Sequence, residues 1–148
     1  MKAIDYLRHS NNGSIVTLCG STKFFEEYME AARQLTFMGH MVLAPGSFGH
    51  SYHKGKEVTK TQEEFEVVKK LHFMKILHSQ LVVVVSDESG YIGASTAAEI
   101  EFARLHLIDV VDFDGKTFTG EVNAGLVDQF SYYRKVLNAY AENHNLGY

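Results

Sequence analysis

Apolar positions along the chain follow two periods that alternate with each other. Ser14 to Cys19 (SIVTLC) is a short, nearly continuous apolar run, the pattern of a strand covered on both faces. In the segment KFFEEYMEAARQLTFMG that follows, Phe24 or Phe25, Tyr28, Ala32, Leu35 and Met38 recur at helical spacing, and Gly39 is placed to end the helix. HMVLAPG reads as a second strand closed by Pro45, and KTQEEFEVVKKLHFMKILHSQ as a second long helix. One side of that helix should carry Phe65, Val68, Leu71, Met74 or Lys75, and His78. LVVVVS is a third buried strand, followed by a small-residue loop and a helix to about His106. DVVDF reads as a fourth strand, and Asp114-Gly115 offers a turn into KTFTG. A short first helix around Ile4 and Leu7 and a Tyr-rich terminal helix from about Ala124 to His144 complete the pattern.

Strands that alternate with helices imply a mostly parallel sheet with helices on both faces, in one domain over residues 1–148. In such folds ligands sit beyond the carboxyl ends of the strands. Those ends are CGSTK, APGSFGH and SDESGYIGAST, all rich in Gly, Ser and polar residues. In CGSTK, Gly20 permits close backbone approach, Ser21 and Thr22 offer hydroxyls, and Lys23 adds a positive charge at a helix N-terminus, where an anion is favoured. In SGYIGAST, Gly90 and Gly93 permit tight turns and Ser95 and Thr96 can cap the next helix. Both loops serve equally as ordinary helix starts. Neither is a dinucleotide fingerprint or a P-loop.

Glu99 and Glu101 fall early in the helix after the third strand; with Ser95 as N-cap, Glu99 lies in its second turn. His72 and Lys75 stand one turn apart, pointing either to the strand ends or to solvent. Asp87 and Glu88 lie at the ligand edge as candidate acid, base or hydroxyl ligand, or as solvated loop charges. His50 and His53, three apart in the loop SFGHSYHKGKEVT, have no evident third ligand, so no metal is expected. That loop is long enough to act as a lid over a ligand. Cys19 precedes a helix N-terminus, a setting that lowers a thiol pKa, but without an evident His partner it reads as a small buried residue.

At LCGST and GYIGASTAAEIEFA, and in the spacing between them, the chain resembles the nucleoside 2-deoxyribosyltransferase superfamily, which includes the 2′-deoxynucleoside 5′-monophosphate N-glycosidases. The resemblance spans about Ser14 to Asp112 and implies a Rossmann-like or flavodoxin-like three-layer α/β sandwich with about five strands. It implies that Glu99 is a nucleophile that attacks the sugar. Gly20, Ser21, Thr22 and Lys23 would hold phosphate or sugar, with further contacts from Gly93, Ser95 and Thr96. His72 stands where the family usually has an acid–base aspartate, Thr17 where many members have a tyrosine, and Lys23 where the nucleotide hydrolases usually have arginine. His72 becomes the candidate proton donor to the leaving base, with Asp87 in reserve. The implied activity is cleavage of the N-glycosidic bond of a nucleoside or nucleoside 5′-monophosphate, by hydrolysis or deoxyribosyl transfer, with no cofactor. The alternative is a non-catalytic module that binds or sequesters a nucleotide. Relatives assemble as dimers or larger homo-oligomers, and the tail FSYYRKVLNAY offers aromatic surface for an interface.

Composition narrows the partners further. A net charge of −4 and the lack of a basic stripe argue against direct nucleic-acid binding, so an anionic ligand must be held locally. No apolar run approaches the roughly 20 residues needed to span a bilayer. MKAIDYLRHSNNG lacks the apolar core of a secretory signal, and the single cysteine fits a reducing cytoplasm.

Overall fold

The computed structural model describes residues 1–9, 13–48, 61–123 and 131–144. Ten elements follow in order: α1 (Ala3–His9), β1 (Ile15–Cys19), α2 (Phe25–Phe37), β2 (Met41–Leu43), α3 (Gln62–Leu77), β3 (Leu81–Val85), α4 (Ala94–Leu105), β4 (Asp109–Phe113), β5 (Phe118–Thr119) and α5 (Ser131–Asn143). The sheet order is β2-β1-β3-β4-β5, parallel throughout except for β5, which pairs antiparallel with β4. This is an α/β fold whose helices flank a mostly parallel five-stranded sheet. The expected lid lies outside the described residues beyond Phe48, and so do His50, His53 and residues 124–130 of the expected terminal helix.

The strands bury both faces, and their alternation divides the interior. Val16, Leu18, Leu81, Val83 and Val85 face Leu7 of α1 and Tyr28, Ala31 and Leu35 of α2 in the larger core. Cys19 and Val82 face Ile76 of α3 and Ala103 of α4 in a smaller one. Period two places Thr17 and Cys19 on this second face, opposite Val82 and Val84 of the neighbouring strand. The Thr17 hydroxyl donates to the Lys75 carbonyl at 3.1 Å and pairs with the Ser79 hydroxyl, so Thr17 ties β1 to α3. Lys75 in turn gives its ammonium to the Ala44 carbonyl at 2.8 Å.

α3 turns differently from the expected face. Its buried residues are His72 and Ile76, while Phe65, Leu71, Met74 and His78 are exposed. The helix is apolar on both sides, so periodicity alone could not choose which side faces the sheet. Its start was well marked: Thr61 and Glu64 form a reciprocal capping box.

At Gly20 the backbone adopts φ 136°, and a Cβ there would lie 2.3 Å from the Val85 carbonyl oxygen. The glycine therefore lets the turn after β1 press against the end of β3. At the far edge, the Asp114 carboxylate accepts the Lys116 and Thr117 N–H groups at 2.9 and 2.8 Å, forming the turn into β5.

Candidate active site

β1 runs to β2 on one side, and the chain later returns to place β3 on the other side of β1. Between the carboxyl ends of β1 and β3 lies a crevice, the place where this topology opens one. The cleft there has a volume of about 290 Å³ and is lined by the turn Gly20, Ser21 and Thr22, the helix start Gly93 to Thr96, and His72 and Glu99. Phe65, Val68 and Tyr91 supply apolar walls, and Lys69 supplies a cation.

Most of the expected binding residues thus converge. Their local roles differ from those expected. The N-cap of α4 is Gly93, whose carbonyl accepts the Ala97 N–H at 3.0 Å, not Ser95. Ser95 and Thr96 line the cleft from the first turn, where backbone N–H groups have no intrahelical acceptor and the helix field favours an anion. α2 starts at Phe25 without a side-chain cap from its N-cap residue Phe24, so Ser21 and Thr22 form a separate turn that carries the cleft edge.

Glu99 stands nearly two turns into α4 and His72 midway along α3, and the packing of these helices on one sheet face brings them together. Glu99 Oε2 lies 3.2 Å from His72 Nε2, and Cys19 Sγ lies 3.3 Å from the same nitrogen. The three side chains form a cluster at the cleft floor, with Cys19 fully buried and the Glu99 side chain 17% exposed. Burial pushes the Cys19 thiol well up, and the nearby negative charge of Glu99 pushes it further. Burial outweighs the helix N-terminus here, so the thiol stays protonated. His72 Nδ1 and Glu99 Oε2 are buried without a hydrogen-bond partner among the described residues; the 3.2 Å Glu99–His72 contact is made at Nε2 and does not meet hydrogen-bond geometry.

Two expected residues do not line the cleft. Lys23 lies over the Tyr91 ring, 3.8 Å from its centroid, and 5.1 Å from that of Phe24. The cation in the cleft wall is Lys69 instead. Asp87 accepts the Ser89 N–H at 2.9 Å and the Ser89 hydroxyl, which hold its carboxyl below the usual range. It lines a separate acidic concavity with Glu26, Glu27, Glu30, Glu88 and Asp114, where an ionised carboxylate is a poor proton donor.

Sequence reasoning passed over Cys19, Lys69, Phe65 and Val68 as site residues. The signal for Cys19 was present: strand alternation puts it on the face that α3 and α4 cover. Lys69 and Val68 fall one helical turn before His72, on the same side of α3. No protein-family model, curated protein or solved structure matches this chain.

Proposed function

We propose that the chain cleaves the N-glycosidic bond of a nucleoside or nucleoside 5′-monophosphate, with Glu99 as nucleophile. The observation that carries this reading is a carboxylate on the floor of the β1/β3 crevice, 3.2 Å from an imidazole and beneath a loop of helix-start N–H groups. The sheet order is that of flavodoxin-like doubly wound folds, which bind ligands at this switch point.

Base departure leaves positive charge on the sugar, and a carboxylate below C1′ stabilises that charge and closes on it to form a glycosyl-enzyme. Glu99 takes this role. His72, in contact with it, is the nearest group able to give a proton to the departing base. Phe65, Val68 and Tyr91 suit the flat, apolar faces of a base, and the starts of α2 and α4 together with Lys69 suit a phosphate. Fixing the phosphate positions C1′ over the carboxylate. Water then releases the sugar, or a second base accepts it.

The protein acts as a homo-oligomer in this reading. Val67, Leu71, Met74 and Leu77 leave an apolar surface on α3 that a monomer would expose to water. A cytoplasmic setting suits a nucleotide substrate and a free thiol.

The test is base release. Wild type and Glu99→Ala are incubated with a panel of ribo- and deoxyribonucleosides and their 5′-monophosphates, with and without a second free base, and free base is followed by chromatography. Release by wild type alone supports the proposal; dependence on the second base makes it a transferase. Tight binding of one nucleotide without release from any would instead identify a binding module.

A further inference from the structure

The cluster at the cleft floor has a feature that a nucleophile and its acid do not need. Cys19 Sγ and Glu99 Oε2 both face one atom, His72 Nε2, at 3.3 and 3.2 Å. A relay of nucleophile, base and orienting acid would use the two opposite nitrogens of the ring. Here one nitrogen is asked to serve two partners, and Glu99 Oε2 is left buried without a hydrogen bond among the described residues. The three donor atoms lie within 4.8 Å of one another.

We propose that Cys19, His72 and Glu99 bind one zinc-class divalent ion, whose fourth coordination position opens into the cleft. The donor set is one thiolate, one imidazole and one carboxylate, the ligand types a borderline-soft ion takes. A tetrahedral zinc ion holds sulfur and nitrogen ligands about 3.5 Å apart and nitrogen and oxygen ligands about 3.3 Å apart. The two observed separations to His72 Nε2, 3.3 and 3.2 Å, lie close to these values, and the thiol and the carboxylate stand no more than 4.8 Å apart. Charge also balances. Binding releases the Cys19 proton to solvent, and the dication is then matched by one thiolate and one carboxylate in a buried place. His72 and Glu99 line the cleft while Cys19 lies behind them, so the site is open on one side only. With the ion in place Glu99 cannot attack a sugar, so zinc would inhibit base release; this consequence rests on the proposed function, and the binding itself does not.

The full-length chain is titrated with Co²⁺ and then Zn²⁺, with a chelating dye as competitor. One ion per chain is expected. The cobalt form should show a thiolate-to-metal charge-transfer band in the near ultraviolet and the intense visible bands of a four-coordinate ion, all erased by zinc. Cys19→Ser and His72→Gln should each weaken zinc by more than about 100-fold, because even an outer-shell partner is worth about 10- to 100-fold. A His50→Gln/His53→Gln variant should bind as wild type does. Circular dichroism checks that each variant folds. If one does not, the sulfur band of the wild-type cobalt complex decides alone. No uptake at micromolar ion, uptake without that band, or binding that survives the loss of Cys19 or His72 in a folded variant would overturn the site.

Discussion

The two faces of the sheet are built for different ends. Against α1 and α2 lies a continuous apolar core in which Leu7, Tyr28, Leu35, Val83, Val85 and Phe113 are essentially inaccessible. The Tyr28 hydroxyl is tied down there, donating to the Gly20 carbonyl at 2.7 Å. Against α3 and α4 the apolar core is small, and the space toward the carboxyl ends of the strands holds a thiol, an imidazole and a carboxylate, of which His72 Nδ1 and Glu99 Oε2 lack hydrogen-bond partners among the described residues. Buried polar groups without partners cost stability. In the proposed function the face that carries them gives up packing for chemistry, while the opposite face stabilises the domain.

Four substitutions separate the faces. Glu99→Gln should lower base release by about 10⁴-fold or more, the scale seen when a nucleophile is removed, and leave the melting temperature unchanged or raised. If activity and stability fell together, Glu99 would be part of the framework. Gly20→Ala, at the junction of the faces, should destabilise by about 3 kcal/mol or more, because the Val85 carbonyl stands where the new methyl must go. Leu35→Ala should cost about 3 kcal/mol in urea unfolding and leave the activity of the folded fraction intact, the reverse of Glu99→Gln. Leu71→Glu, on the exposed side of α3, should shift the stability of the protomer by no more than about 0.5 kcal/mol yet drive the proposed oligomer to monomer in analytical ultracentrifugation.

A pH effect should trace to the packed face. His40 Nε2 donates to the Leu7 carbonyl at 2.8 Å, while Nδ1 is buried without a partner among the described residues. Burial lowers its pKa despite that bond. The unfolded chain then binds the proton more readily, so the His40 contribution is full above the ordinary histidine value of about 6.5 and shrinks as pH falls below it. Urea titrations at several pH values should show this loss, and His40→Gln should remove it.

Much of this was legible in the residues. The buried strands announced themselves as apolar runs, and small-residue loops at their carboxyl ends located the cleft. The orientation of α3 was not legible, because Val67, Leu71 and Met74 compete with Val68, His72 and Ile76 for the sheet and only packing decides. The position of Lys23 was not legible for a related reason: a flexible cation beside two rings can lie over them and away from the cleft that its place in the sequence suggested. Cys19 was read as a small buried residue because its partners lie 53 and 80 residues away in sequence, on helices whose pairing appears only when the sheet is assembled.

The most direct test is to trap the intermediate. Wild type is mixed with 2′-fluorinated analogues of the nucleoside and nucleoside 5′-monophosphate panel, in which fluorine slows release of the sugar from the enzyme, and the protein is digested for mass spectrometry. The account predicts one added fluorosugar, or its 5′-phosphate, on the peptide that contains Glu99, with one equivalent of base released. A sugar attached to another residue, or base release from the natural substrates with no adduct from their analogues, would contradict it.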